Sequence, residues 1–269
     1  MEPARNVLVT GASSGIGSET ARHLARRGLK VYGTSRSQRR PSPDQHGIRW
    51  LELDVCNDAS VAAATGAMRA AEGEIDAVVC NAGVGIFGSV EETSLEAARA
   101  QFETNYFGVL RVLRSVLPAM RTSGLGRIVL VGSLAGRAPI PFQSHYSSTK
   151  AAIDALALSL RNEIGPLGLG VSLIEPGNID TPFNDAMDWS EGSDSAYAER
   201  IARCEREIRE QLPKAPKPVV VAKAVEHALT ARRPRVRYPV GESSWLVPIG
   251  RRLLPDFITL DLIRRTFKV

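Results

Sequence analysis

Tyr146 and Lys150 stand four residues apart in Tyr146-Ser147-Ser148-Thr149-Lys150, so on a helix they share one face, a turn from each other. A phenol beside an ammonium can move a proton. Tyrosine titrates near ~10, whereas a proton shuttle at physiological pH needs roughly 7 to 8, a gap of about 3 to 4 kcal/mol. An ammonium at about 4 Å supplies on the order of 4 kcal/mol at an effective dielectric of about 20. The spacing thus predicts a tyrosine whose pKa is lowered by Lys150. His145, next to the tyrosine, points roughly 100° away around a helix and fits a surface or pocket-wall position better than a second base.

Such a pair needs a frame, and the chain carries one. Val7–Val9, Val31–Tyr32, Trp50–Leu53, Ala77–Cys80, Ile128–Val131, Val171–Ile174 and Val236–Pro239 read as seven short, mostly apolar strands. Helical stretches such as Ser18–Arg27 and Val61–Ala71 lie between the early ones. This alternation predicts right-handed βαβ crossovers and a doubly wound parallel sheet with helices on both faces, a Rossmann fold in one domain spanning 1–269. Thr10-Gly11-Ala12-Ser13-Ser14-Gly15-Ile16-Gly17 follows the first strand and opens the first helix. A glycine-rich turn there lets the backbone approach a pyrophosphate at the positive helix N-terminus. The second strand ends Gly33-Thr34-Ser35-Arg36 without a carboxylate, where a site for unphosphorylated ribose usually carries one. Ser35 can donate to a 2′-phosphate and Arg36 can pair with it, so NADP(H) is the expected cofactor.

With glycines at 11, 15 and 17, the pattern resembles the short-chain dehydrogenase/reductase family. Further motifs in order carry the resemblance: Asp54-Val55, Asn81-Ala82-Gly83, and Pro176-Gly177 with Ile179 and Thr181. It implies that Asp54 and Val55 meet the adenine, that the Asn-Ala-Gly segment supports the sheet and lines the cofactor, and that the segment from Pro176 holds the nicotinamide amide. It also implies a catalytic set of Asn105, Ser133, Tyr146 and Lys150. In that set Tyr146 donates or accepts the proton and Ser133 holds the substrate oxygen. Lys150 lowers the tyrosine pKa and grips the nicotinamide ribose, and the main-chain carbonyl of Asn105 holds a water that relays protons to Lys150. The expected activity is a hydride transfer between NADP(H) and a carbonyl or alcohol. Pro139-Ile140-Pro141-Phe142-Gln143, with Val31-Tyr32-Gly33-Thr34, looks like the 17β-hydroxysteroid-dehydrogenase-like branch. The alternative from another class is a non-catalytic protein that senses NADP(H) on the same fold and acts through partners. Retention of all four catalytic positions favours the enzyme.

The substrate walls available are apolar: Val84, Leu134, Ala138, Ile140, Pro141, Phe142, Phe183, Met187 and Trp189. They suit a hydrophobic ketone, aldehyde or secondary alcohol of steroid, lipid or isoprenoid type, bound by Ser133, Leu134, Phe142, Tyr146, Phe183, Met187 and Trp189. Arg137 is expected to be a solvated arginine. Residues 183–218 form an insertion over the substrate site, with a charged helix near Tyr197–Leu212 ended by Pro213, Pro216 and Pro218. In the tail, 241–269, arginines alternate with Leu, Ile and Phe. Pro248, Gly250 and Pro255 interrupt any long interfacial helix, so packing over the pocket or a neighbouring subunit is expected rather than membrane contact.

Composition excludes other classes. The net charge of +5 is mostly arginine, with clusters at Arg36, Arg39 and Arg40 and at Arg232, Arg233, Arg235 and Arg237. No aromatics interleave with them, which argues against nucleic acid. Cys56, Cys80 and Cys204 are isolated, and the four histidines are scattered, so neither a disulfide framework nor a metal site is expected. No apolar run is long enough to span a bilayer, and the first strand begins too early for a signal peptide ahead of it, so a cytoplasmic location is expected. The family usually pairs through helices near Ala97–Met120 and Tyr146–Ile164, implying a homodimer or homotetramer.

Overall fold

Alternate residues of the central strands divide between two cores. Leu8, Val78, Ile128 and Leu130 belong to one apolar cluster, while Val7, Val9, Val79, Val129 and Val131 belong to another. A strand's side chains alternate across the sheet, so a run that is apolar at every position must be covered on both faces.

The computed structural model describes residues 5–37, 42–183, 187–189, 195–242 and 244–269. Its elements run β1 (Asn6–Val9), α1 (Gly15–Arg26), β2 (Lys30–Ser35), β3 (Arg49–Glu52), α2 (Asp58–Glu72), β4 (Ala77–Cys80), β5 (Ile86–Phe87) and α3 (Leu95–Phe102). Then follow α4 (Gly108–Ser123), β6 (Arg127–Val131), α5 (Ser144–Ile164), β7 (Gly170–Pro176), β8 (Asp188–Trp189), α6 (Ala198–Gln211), α7 (Val219–Thr230), β9 (Arg237–Val240), α8 (Leu246–Leu253) and α9 (Asp256–Thr266). Seven strands form one parallel sheet in the order β3-β2-β1-β4-β6-β7-β9. Helices α2, α4 and α5 supply apolar side chains to one face, and α1 and α7 to the other. The expected doubly wound Rossmann sheet is therefore present, and each of the seven expected strands overlaps an observed one.

The strand order reverses between β1 and β4, so the crossovers leave in opposite directions and open a crevice at the carboxyl ends of these two strands. The glycine-rich turn and the Asn-Ala-Gly segment both emerge there. Two short strands were not expected. β5 pairs in parallel with β8, matching Ile86 to Asp188 and Phe87 to Trp189, and this ties the insertion to the body. A third cluster grows around them, with Phe87, Met187, Cys204 and Ile208 buried and Phe142, Phe183, Phe267 and Val269 packed alongside. Within the tail, Pro255 separates α8 from α9 as expected, whereas Pro248, near its start, and Gly250 lie inside α8 and do not break it.

Candidate active site

The glycine-rich turn is built so that no side chain could occupy its inner face. Gly11 has φ +63° and Gly15 φ +52°, left-handed values that favour glycine. A Cβ on Gly11 would lie 2.8 Å from the Ala82 Cα, and one on Gly17 would lie 2.2 Å from the Gly11 carbonyl oxygen. Thr10 locks the two segments together. Its hydroxyl accepts the backbone N–H of Asn81 (3.0 Å) and of Ala82 (3.1 Å), and the Asn81 amide donates to the carbonyls of Thr10 and Gly11 (both 3.1 Å). Asn81 therefore braces the turn. Thr10 does the same, although the sequence pattern assigned it no role.

Ser13 and Ser14 are exposed at the mouth of the crevice, and Ser14 begins α1 without using its side chain as a cap. Thr181 faces the turn from the far side, its Cβ 3.5 Å from where a Gly15 Cβ would sit. Ile16, Val55 and Ile179 turn their side chains into the apolar clusters, leaving only backbone to meet a ligand. One Asp54 oxygen accepts the Cys56 N–H (2.9 Å), fixing the loop after β3. Arg36 is exposed just beyond β2, with no ion pair among the described residues, and the Ser35 hydroxyl donates to the Ser37 carbonyl (2.7 Å). Arg39 and Arg40 lie outside the described residues. A glycine cradle, a helix N-terminus, and a β2 end with no carboxylate fit a phosphorylated dinucleotide.

The candidate catalytic groups converge at the carboxyl ends of β6 and β7. Ser133 accepts the Ala135 N–H (3.1 Å), lies 3.4 Å from the Pro176 carbonyl, and sits close enough to the Tyr146 hydroxyl to favour its charged form. Lys150, buried one turn along α5, has its Nζ 5.6 Å from the Tyr146 ring centre and donates to the Val131 carbonyl at the end of β6 (2.9 Å). The expected lowering of the tyrosine pKa is not what this arrangement produces. Burial pushes the Tyr146 phenol up to about 12, opposed by the Ser133 hydrogen bond, and pushes Lys150 down to about 8. Desolvation penalises both charged forms, and it outweighs the attraction that helical spacing alone suggested.

Asn105 sits in a single π-helical turn, Glu103–Phe107, between α3 and α4. Such turns concentrate at functional sites. Its buried side chain is fully committed: Oδ1 accepts the Val84 N–H (2.8 Å), and Nδ2 donates to the Val84 carbonyl (2.9 Å) and the Thr149 hydroxyl (3.1 Å). Thr149 in turn donates to the Tyr146 carbonyl (2.8 Å). Any direct part in proton transfer therefore falls to the Asn105 backbone, while its side chain ties the loop after Gly83 to α5.

Around this centre the wall is apolar. The Phe183 ring lies 5.7 Å from that of Tyr146. Met187 and Phe183 close over Gly85, where a Cβ would approach both within 3.2 Å. Leu134 lies against Gly177. Phe142 adopts φ +60°, unusual for a bulky residue, and is held by the Gly88 N–H on its carbonyl (2.8 Å) between the rings of Phe87 and Tyr197. A groove of about 580 Å³ runs beside it, lined among others by Ile140, Phe142, Tyr197, Leu260, Ile263 and Arg264. Trp189 joins through the backbone pairing of β8. Arg137 is not the solvated arginine expected. It pairs with the buried carboxylate of Glu175 (2.5 and 3.3 Å), which also meets Arg237 (3.0 Å), itself bound to Asp154 on α5. The carboxylate lies directly before Pro176, so folding brings it to the arginine that follows the Ser133 turn.

A family model described as short chain dehydrogenase matches residues 5–191, well over half of the chain. This chain belongs to the short-chain dehydrogenase family. Like the family, it is an oxidoreductase by descent. It is 35% identical over 237 residues to the 3-ketodihydrosphingosine reductase of Bacteroides thetaiotaomicron, covering 87% of each chain. It is 34% identical to the estradiol 17-beta-dehydrogenase 1 of Rattus norvegicus, covering 93% of this chain and 77% of the relative. A solved short-chain dehydrogenase from Streptomyces avermitilis superposes with a TM-score of 0.81 at 32% identity, over 97% of this chain and 96% of that one. The resemblance read from the motifs, including the 17β-hydroxysteroid-dehydrogenase-like likeness, thus has its counterpart in the relatives.

Proposed function

We propose that this short-chain dehydrogenase is an NADP(H)-dependent carbonyl–alcohol oxidoreductase for hydrophobic ketones, aldehydes or secondary alcohols of lipid or steroid type. The observation that carries the reading is the convergence of Ser133, Tyr146 and Lys150 beyond the end of β6, with Lys150 one turn from Tyr146 and an apolar wall in front. A bound nicotinamide supplies or takes up the hydride. Everything else is work for the chain's own side chains.

At neutral pH a phenol held near 12 keeps its proton, so Tyr146 is an acid ready to protonate a carbonyl oxygen as charge develops on it. The Ser133 hydroxyl, only loosely engaged with Pro176 at 3.4 Å, is free to turn and donate to the same oxygen. Lys150 has three donors and spends one on Val131, leaving two for ribose hydroxyls and for proton resupply to Tyr146. Gly11, Ser13, Ser14, Gly15 and Gly17 would hold the pyrophosphate, Asp54 the adenine, and Ser35 with Arg36 the 2′-phosphate. Pro176, Gly177 and Thr181 would orient the nicotinamide.

Three features support the substrate class. Phe142, Phe183, Met187 and Leu134 offer almost no polar partner, and the neighbouring groove of about 580 Å³ offers room for an aliphatic extension. The two relatives are named for 3-ketodihydrosphingosine and estradiol, both largely apolar compounds. The test follows cofactor consumption across hydrophobic ketones and aldehydes, graded from short to long. The reading predicts that kcat/KM rises with apolar size and that Arg36→Ala weakens NADPH far more than NADH. Equal losses for both cofactors would sink the cofactor assignment, and a preference for small polar carbonyls would sink the substrate assignment.

A further inference from the structure

Of the sixteen large hydrophobic side chains exposed among the described residues, eight lie between Trp245 and Leu262. They are not scattered. Trp245, Leu246, Ile249 and Leu253 recur at three- and four-residue spacing and so form one stripe on α8. Beyond Pro255, Phe257 and Leu260 carry apolar surface onto α9, and Leu253 and Phe257 are each 73% exposed. This surface is surplus to folding. α9 already engages the body through Phe267 at its end in the cluster around Phe87 and through Ile263 in the neighbouring groove, while buried Thr259 hydrogen-bonds Arg251 and Asp256 within the tail. No residue of α8 is buried.

The charges around the patch have one sign in excess. From Trp245 to the C-terminus there are five basic side chains and two acidic ones. Asp256 pairs with Arg251, and Asp261 is shared by Arg264 and Arg265. Arg252 is exposed and has no ion pair among the described residues. A second copy docked on the same patch by two-fold symmetry would set these arginines close to their own images. Phosphate headgroups above an acyl layer match the pattern instead: aromatic and aliphatic groups enter the interface while guanidinium groups stay at headgroup level.

We propose that the surface formed by α8 and the start of α9 binds anionic phospholipid bilayers peripherally, with Trp245, Leu253 and Phe257 entering the interface and the arginines on the headgroups. The two-helix geometry answers the objection that Pro248 and Pro255 rule out a long interfacial helix, since the stripe needs only two short ones. No described helix is long and apolar enough to cross a membrane, so the contact lies in the plane of the surface.

Flotation of the full chain with vesicles of phosphatidylcholine alone, and with about one-third phosphatidylserine, tests it. The proposal predicts at least about tenfold more protein on the anionic vesicles, with release as salt is raised. The double variant Leu253→Glu with Phe257→Glu should stay in the aqueous phase while keeping its circular dichroism and its NADPH binding, because both side chains are largely exposed. Failure of the wild type to float with anionic vesicles would overturn the proposal, as would equal flotation of the double variant. If instead the double variant changes the sedimenting mass in lipid-free buffer while the wild type ignores vesicles, the patch is a contact between copies and the proposal falls.

Discussion

Lys150 carries a cost that its neighbours only partly offset. Its ammonium is buried and donates to the Val131 carbonyl, and burial takes its pKa from 10.5 to about 8. Between those values the unfolded chain holds a proton that the folded chain has lost, so stability rises with pH across that window. Below about pH 8 the buried charge costs on the order of 3 kcal/mol, an amount recovered by pH 10.5. Urea unfolding of the cofactor-free protein, compared with Lys150→Met, should therefore give a gap that narrows from pH 8 to 10.5 in favour of the wild type. A gap that is independent of pH would mean that Lys150 is not held in a desolvated site. At this scale the motif spacing named groups that folding brings together, with Ser133 beside Tyr146 and Lys150 one turn further. It carried no measure of burial, which in the cofactor-free chain raises the tyrosine pKa, because spacing reports proximity while desolvation depends on how much water folding removes. Thr10 went unassigned for a similar reason: its three hydrogen-bond partners come from β4 and the loop after it, about seventy residues away.

Elements position these groups through a charge network that the sequence hid. Glu175 closes β7, Arg137 ends the turn after Ser133, Arg237 opens β9, and Asp154 lies on α5 one turn beyond Lys150. The four charges couple every element that carries a catalytic side chain, apart from Asn105. Glu175 is 1% exposed, so its burial is tolerable only because two arginines face it. Glu175→Gln keeps the shape but leaves both guanidinium groups underpaired, and should destabilise by roughly 3 kcal/mol in denaturant titration. It should also lower kcat more than it raises KM, since the turn holding Ser133 loosens. A loss under about 0.5 kcal/mol would class the network as an ordinary surface ion pair. Arg137 could not be assigned from sequence, because its partner lies 38 positions downstream at the end of a strand, Gly170–Pro176, whose sequence carries no sign of the pairing. β5 and β8 escaped notice because two-residue strands leave no periodicity, and their pairing depends on the insertion folding back. Phe142 at φ +60° was equally invisible, since nothing in its neighbours announces a left-handed backbone.

For the whole molecule, the parallel sheet and its two-faced cores follow from alternating strands and amphipathic helices, whereas the strand order, and with it the crevice between β1 and β4, is seen only in the folded chain. The apolar cluster proposed as the substrate wall was the least legible part, because the insertion, the Phe142 loop and the C-terminal residues that build it carry no periodic signal and meet only when the chain is folded. The tail divides its residues, with Phe267 and Val269 packed inward and Leu253 and Phe257 facing outward.

The central claim is that Tyr146 is the proton donor of an NADP(H)-dependent reductase. It is tested most directly by comparing wild type and Tyr146→Phe in NADPH oxidation with a hydrophobic ketone, alongside NADPH binding followed by fluorescence. The account predicts turnover reduced by at least about a thousandfold with NADPH affinity within a few-fold of wild type. Turnover that persists in the phenylalanine variant would contradict it.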